Sequence, residues 1–231
     1  MIPARMGSTR LKMKNLALLN GKPMISYAIN ASKESKVFNN IFVNSENSKF
    51  LEISDRYGVD FYHRSDSLGS SETKSDDVVY DFMKNNPGDI TVWVNSTSPL
   101  QTGDEIKRIV NYFIENKLDS LITVRDEQVH CLLGGEPMNY NITEQFAQTQ
   151  DLKPVSRFVY SVMMWRNNTF IDKMEKNGSA LFCGKTGYFS VSKETSIIVK
   201  TEEDFYLIDN ILKGREQNKD WNLTYDDICH S

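Results

Sequence analysis

From Met1 to Val124 one pattern keeps returning: a short apolar run, a polar loop, and then apolar residues at helical spacing. Met1–Ala4, Ile41–Asn44, Val59–His63, Ile90–Val94 and Ser120–Val124 read as strands, rich in β-branched and aromatic residues. Between them come Met24, Tyr27, Ala28 and Ala31, with Pro23 at a first helical position. Next come Phe50 to Tyr57 closed by Gly58, then Asp76 to Lys84, and then Ile106, Ile109, Val110 and Phe113 behind a Thr102–Glu105 capping pair. Strands that alternate with helices are joined by crossovers, which favours an open, mostly parallel sheet covered on both faces. In such an α/β sheet ligands bind outside the carboxyl ends of the strands.

The alternation breaks over residues 126–157, where Gly134-Gly135, Pro137, Pro154 and many amides show no apolar period. That segment reads as an inserted arm. Tyr160–Trp165, Gly187–Val191 and Ile197–Val199 then read as strands, Thr169–Lys176 as a helix, and Thr201 to Asp204 as the cap of a closing helix. Nothing Pro/Gly/Ser-rich divides the 231 residues, so a single domain over 1–231 is expected. Met1–Ala4 is short for a central strand, which implies a stub or a late start.

A formal net charge of −4 argues against a general nucleic-acid binder, and it makes one basic stretch stand out. Arg5, Arg10, Lys12 and Lys14 crowd a loop that also holds Gly7, Ser8 and Thr9. A glycine lets successive N–H groups converge on an anion, hydroxyls add donors, and the cations neutralise phosphate charge. The alternative for such a run is a solvated basic turn. Walker A and G-x-G-x-x-G patterns are both missing from it. Cys131, Cys183 and Cys229 are scattered, which reads as reduced thiols and not as a zinc site or disulfide frame. With no leader pattern at Met1 and no apolar run of spanning length, a cytoplasmic protein without membrane partners is expected.

Ile2, Pro3, Ala4, Arg5, Gly7, Ser8, Lys14 and Asn15 fall in register with I-P-A-R-x-G-S-x-R/G-x-x-x-K-N, and the loop resembles the signature of the sugar-activating cytidylyltransferases. Arg64 and Leu68 resemble that family's R-P-x-x-L-A, Ser71, Thr73 and Ser75 its S-D-T-x-S, and Thr97 to Leu100 the end of its Q-P-T-S-P-L. The resemblance implies a Rossmann-like domain of the nucleotide-diphospho-sugar transferase type. It also implies a homodimer whose arms reach across, and transfer of CMP from CTP to an acidic 2-keto sugar such as a sialic acid. Ala4, Arg5, Gly7, Ser8, Lys14, Asn15, Arg64, Thr73 and Ser75 would then hold the nucleotide, with Arg64 reading the cytosine. Arg5 and Lys14 would stabilise charge in the transition state. Asn95, Gln150 and Arg157 would meet the sugar, Gln150 lying in a Q-D-L-P-like segment. Arg157 and Lys153 supply the nearest cations for its carboxylate.

The sequence departs from the resemblance where it matters most. The family pattern S-x-D-I-D-T holds Mg2+ on paired aspartates, and Ser196 to Thr201 has Ile198 and Lys200 in their places. Lys200 becomes a candidate catalytic residue, its ammonium standing where a metal charge would sit. It can equally lie at the surface beside the helix cap. Two alternatives follow: a same-fold nucleotidyltransferase with another nucleotide or acceptor, and a catalytically silent binding protein. Substitution of metal by lysine predicts that pyrophosphate release persists in EDTA, that Lys200→Ala abolishes it, and that Ile198→Asp with Lys200→Asp creates magnesium dependence. Full activity of Lys200→Ala in EDTA removes the lysine from the chemistry.

Overall fold

The structure, a computed structural model, describes residues 1–7, 11–218 and 222–230. Its strands are β1 (Ile2–Pro3), β2 (Leu18–Leu19), β3 (Lys22–Pro23), β4 (Phe42–Ser45), β5 (Asp60–His63), β6 (Ile90–Val94), β7 (Ser120–Glu127), β8 (Leu132–Leu133), β9 (Glu136–Pro137), β10 (Val155–Arg166) and β11 (Thr186–Ser190). The helices are α1 (Ile25–Ser35), α2 (Lys49–Tyr57), α3 (Ser75–Asn85), α4 (Gly103–Glu115), α5 (Asn167–Asn177) and α6 (Glu202–Gln217).

β1, β4 and β5 form a parallel sheet, and β11, β7, β10 and β6 a second one in which β10 alone runs antiparallel to its neighbours. Met1 joins the two. Its amine donates to Val92 O at 2.8 Å, and its carbonyl accepts from the Val94 N–H at 3.0 Å, the slanted pattern of a parallel ladder. β1 therefore has β4 and β5 on one side and β6 on the other, and the chain reverses its direction of travel across the sheet at this point. The mostly parallel α/β architecture read from the alternation is what the molecule has.

Alternate residues feed opposite cores. Leu121, Val162 and Met164 pack with Ile25, Ile29, Ile106 and Phe113 of α1 and α4, whereas Ile122, Met163 and Trp165 pack with Val79, Phe82 and Phe170 of α3 and α5. A third cluster, Leu19, Met24, Leu100, Val199 and Ile208, seats α6. Gly58 closes α2 at φ 62° as its position suggested, and α6 opens on a complete Thr201–Asp204 capping box. Burial raises the Asp204 carboxyl, but hydrogen bonds from the Lys200 and Thr201 N–H groups and the Thr201 hydroxyl outweigh it and hold the group below its ordinary value.

Several boundaries differ from the sequence reading, each for a local reason. Pro23 is not the first residue of α1. Asn20 and Gly21 both take positive φ, 45° and 76°, and this two-residue hairpin turn pairs Pro23 with Leu18 before the helix begins. Ile197–Val199 is not a strand, because the backbone of Val199 is taken by Thr97 O at 3.0 Å and by Lys14 Nζ at 2.9 Å instead of a ladder. The arm is narrower than 126–157. Polar Asp126 and Glu127 continue β7, and Val155 to Arg157 begin β10, paired as Val155↔Glu127 and Ser156↔Asp126. Within it, β8 and β9 form a small hairpin.

Glu105 has a larger part than its capping position indicated. Thr102 caps α4 by accepting from the Glu105 N–H, while the Glu105 side chain, 2% exposed, turns inward. It accepts from Gln101 Nε2 at 2.7 Å, Thr195 Oγ1 at 2.7 Å and the Ser192 N–H at 2.8 Å. This carboxylate ties the loop after β11 to the start of α4. Glu105→Ala leaves two buried donors, on Gln101 and Thr195, and the Ser192 N–H without their acceptor, and a fall of about 3 kcal/mol in unfolding free energy is expected from denaturant melts. A change within about 0.5 kcal/mol would mean that the loop holds without it.

Candidate functional site

A cleft of about 330 Å³ opens at the reversal point, where β1 and β6 end side by side. β1 delivers Pro3, Ala4 and Arg5 to its floor, and β6 delivers Asn95, Ser96 and Thr97. Lys14 and Asn15 come from the single turn of 3-10 helix that follows the basic loop. Arg64 and Thr73 arrive from the segment between β5 and α3, together with Ser70 and Ser71, and Ser75 is the first residue of α3. Ala4, Arg5, Lys14, Asn15, Arg64, Thr73, Ser75 and Asn95, singled out in the sequence, thus share one cleft.

Hydrogen bonds set this geometry before any ligand enters. Asn15 is buried, accepts from Ser96 Oγ at 2.9 Å, and points its amide at Arg5 O at 3.5 Å, while Ser96 Oγ also reaches Pro3 O at 3.1 Å. Asn95 Oδ1 accepts from the Thr97 N–H and hydroxyl, and its Nδ2 donates to Tyr160 O at 3.2 Å. Tyr160 is one of few non-glycine residues at positive φ, 59°, at the bulge where β10 shifts register between Phe158 and Met163. Lys14 Nζ reaches Val199 O at 2.9 Å, which brings the loop before α6 to the cleft wall. Arg5 extends over the rim to Ser70 O at 3.0 Å.

Arg64 is 5% exposed, and its terminal nitrogens face protein oxygens. Nη1 donates to Asn44 O at 3.1 Å and Asn44 Oδ1 at 3.3 Å, and Nη2 to Ala4 O at 2.8 Å and Glu46 Oε2 at 2.7 Å. Burial pulls its guanidinium below the ordinary value, with Glu46 opposing and Arg5 adding to the fall. The fork that the resemblance assigns to cytosine is engaged within the protein.

Other sequence candidates lie outside the cleft lining. Gly7 is exposed beside Gly69, and Ser8 and Arg10 fall outside the described residues. Gln150 is exposed in a short turn of the arm, its carbonyl accepting from Gln128 Nε2 at 3.0 Å. Arg157 pairs with Glu127 at 2.9 Å and donates to Ser196 Oγ at 3.1 Å. Lys200 is exposed, one residue beyond the anchored Val199. Trp93 lines the cleft and was missed by the sequence reading, although strand parity puts it on the same face as Asn95.

Positions 198 and 200 do not fit a magnesium ion. Ile198 packs against the main core, Lys200 carries an ammonium, and among the described residues no cluster of three or more His, Cys, Asp or Glu side chains could hold a metal. Among them, too, no helix is long and apolar enough to cross a membrane.

Comparison with known proteins decides the family. Residues 1–200 match the sequence model described as cytidylyltransferase. The chain belongs to the cytidylyltransferase family. It is 27% identical over 213 residues to an N-acylneuraminate cytidylyltransferase of Streptococcus agalactiae, covering 88% of this chain and 50% of that protein. The chain therefore spans half the length of that curated relative. It is 24% identical over 245 residues to a 3-deoxy-manno-octulosonate cytidylyltransferase of Bdellovibrio bacteriovorus, covering 93% and 97%. Among solved structures, a CMP:2-keto-3-deoxy-manno-octonic acid synthetase complexed with CTP superposes with a TM-score of 0.71 at 13% identity, over 93% of this chain and 97% of that one. That likeness shows a shared cytidylyltransferase fold.

Removing the buried Asn15 acceptor leaves Ser96 Oγ short of one partner and frees the strand-end loops from each other. Asn15→Ala should cost about 1–2 kcal/mol in denaturant unfolding. A stability equal to wild type would show that the two loops hold their places without this bond.

Proposed function

We propose that this chain activates an acidic 2-keto sugar with CTP: the anomeric hydroxyl attacks the α-phosphorus, the bond to the β-phosphate oxygen breaks, and pyrophosphate leaves. One observation carries the reading. The cleft at the strand reversal gathers two cations, Arg5 and Lys14, with the hydroxyls of Ser70, Ser71, Thr73 and Ser75. Cations together with a hydroxyl-rich wall suit a molecule that carries both a polyphosphate and polar ring edges. Family membership over residues 1–200 supports the same substrate class.

In this reading Arg5 and Lys14 stabilise the charge that grows as pyrophosphate departs. Asn15 and Ser96 hold the strand-end loops in register, and Thr73 and Ser75 approach the base. Asn95 orients a hydroxyl of ribose or acceptor. Gly7 and Ser8 remain candidates for phosphate contacts through the loop backbone and hydroxyl. Lys200 supplies a further positive charge at the edge of the phosphate subsite, in keeping with its exposed position next to the anchored Val199 backbone. No step is assigned to a magnesium ion, since the side chains at 198 and 200 do not suit one. Gln150 and Arg157 meet the acceptor only from outside the cleft lining. Their position favours a homodimer in which the arm of one copy approaches the cleft of the other, and the exposed Leu132, Leu133, Ile142 and Phe146 of the arm support it. A cytoplasmic location, where CTP is supplied, belongs to the same proposal.

The test is pyrophosphate release from CTP with a panel of 2-keto sugar acids. Turnover with an acid of this class is the expected result, and Arg5→Ala should reduce kcat/KM at least tenfold, as befits a charge-assisted phosphate contact of roughly 1.5–3 kcal/mol. Turnover only with another nucleotide or acceptor would reassign the substrates. CTP binding without turnover on any acceptor would identify a silent binding protein.

A further inference from the structure

Glu46 lies outside the cleft lining, yet it ties the backbone next to Arg5 to the segment after β5. Its side chain is 13% exposed and pairs with the 4% exposed Arg64 at 2.7 Å. The two ends of this pair hold the backbone on either side of Arg5. Arg64 Nη2 donates to Ala4 O at 2.8 Å, and the Met6 N–H donates to Glu46 Oε1 at 2.9 Å. Arg64 Nη1 is meanwhile fixed on Asn44 O and Oδ1 at the end of β4, and the Arg64 N–H bonds Ser45 O at 3.1 Å.

Gly69 shows how closely the carboxylate is housed. A Cβ at that position would stand 2.5 Å from Glu46 Cγ and 2.7 Å from its Cδ, so the glycine is required by space. Arg5 itself leans toward the same segment, its Nη1 on Ser70 O at 3.0 Å. β1, β4 and the segment after β5 therefore meet at one partly buried ion pair.

We propose that Glu46 and Arg64 act as a clasp, a pair of positioning residues that fix the backbone at Ala4 and Met6 and so aim the Arg5 guanidinium into the cleft. Both ends of the clasp are charge-assisted, and removing Glu46 leaves the buried Arg64 guanidinium without its counter-charge. The proposal rests on the reading that Arg5 meets the nucleotide, and it assigns Arg64 to holding the floor of the site.

The test compares Glu46→Ala, Glu46→Gln, Gly69→Ala and Arg5→Ala, with Glu46→Ala/Arg5→Ala as the double variant. Gly69→Ala leaves every charge in place and crowds the Glu46 side chain. The measurements are amide hydrogen exchange at Met6, CTP affinity by calorimetry, and melting temperature. Glu46→Ala and Gly69→Ala should each speed exchange at Met6 and weaken CTP binding about tenfold or more, with Glu46→Gln in between because an amide oxygen still accepts from Met6. The double variant should bind CTP no more weakly than Arg5→Ala alone, since Glu46 acts through Arg5. A lowered melting temperature with Met6 exchange and CTP affinity unchanged would make the pair merely structural and overturn the clasp. Full additivity in the double variant would overturn it as well. If Glu46→Ala does not fold, Glu46→Gln and Gly69→Ala decide by the same criteria. Where the wild type binds no CTP, the nucleotide reading falls, and Met6 exchange in the variants still settles whether the clasp holds the loop.

Discussion

A central strand of two residues has to be held from both sides, and the rest of this fold depends on how β1 is held. Ile2 and Pro3 pair with Val43 and Asn44 of β4, while Met1 bonds across to Val92 and Val94 of β6. So short a ladder gives little cooperative stabilisation by itself. Burial contributes the remainder, with Met1, Ile2 and Ala4 all under 9% exposed and divided between the two cores. Because the chain travels one way from β1 to β4 and β5 and returns on the other side to β6, the connections that follow β1 and β6 lead away toward opposite edges of the sheet. The cleft follows from that topology, and its chemistry from what the two strand ends carry.

Loops that leave strand ends need polar ties, since few apolar side chains reach them. Here the ties are buried or partly buried and cross between loops that are far apart in sequence. Asn15 meets Ser96, Lys14 meets Val199, Glu105 meets Thr195 and Ser192, and Arg64 meets Ala4 and Glu46. Each such bond adds only about 0.5–1.5 kcal/mol net, but leaving a buried partner unsatisfied costs about 1–3 kcal/mol, so the loops are specified more by the penalty of misplacement than by attraction. A cleft preorganised in this way receives a polar ligand without first reordering its walls.

Much of this was legible in the sequence, for reasons of period and of local chemistry. The strand-helix alternation survives because each strand and helix hides one face, and Gly58, Thr102 and Thr201 mark helix ends that a cap defines locally. Eight of the candidate site residues share the cleft because they sit at strand ends or on the loops directly after them. What was not legible is tertiary. Glu46 and Arg64 are 18 positions apart and meet only when β4 and β5 pair. Pro23 was claimed by a hairpin turn that outranked its helical preference, and the ladder suggested for Ile197–Val199 was replaced by bonds to Thr97 and Lys14. Arg157 sits beyond the cleft lining because Glu127 of the neighbouring strand β7 and Ser196 already hold its guanidinium.

The segment from Ser196 to Thr201 shows how a site can change its charge without changing its frame. Val199 is the fixed point, its N–H on Thr97 and its carbonyl under Lys14, and its own side chain is fully buried beneath α6. With that residue anchored, the flanking side chains are set by the backbone: Ile198 against the main core, Lys200 outward at the cap of α6. Carboxylates at both positions would suit a divalent ion, which needs anionic oxygens about it and then carries the positive charge itself. An isoleucine and a lysine do not suit one: the first position becomes packing, and the second presents an exposed cation. The frame tolerates the exchange because neither side chain makes the bonds that hold the loop, which run through the Val199 backbone and through Glu105.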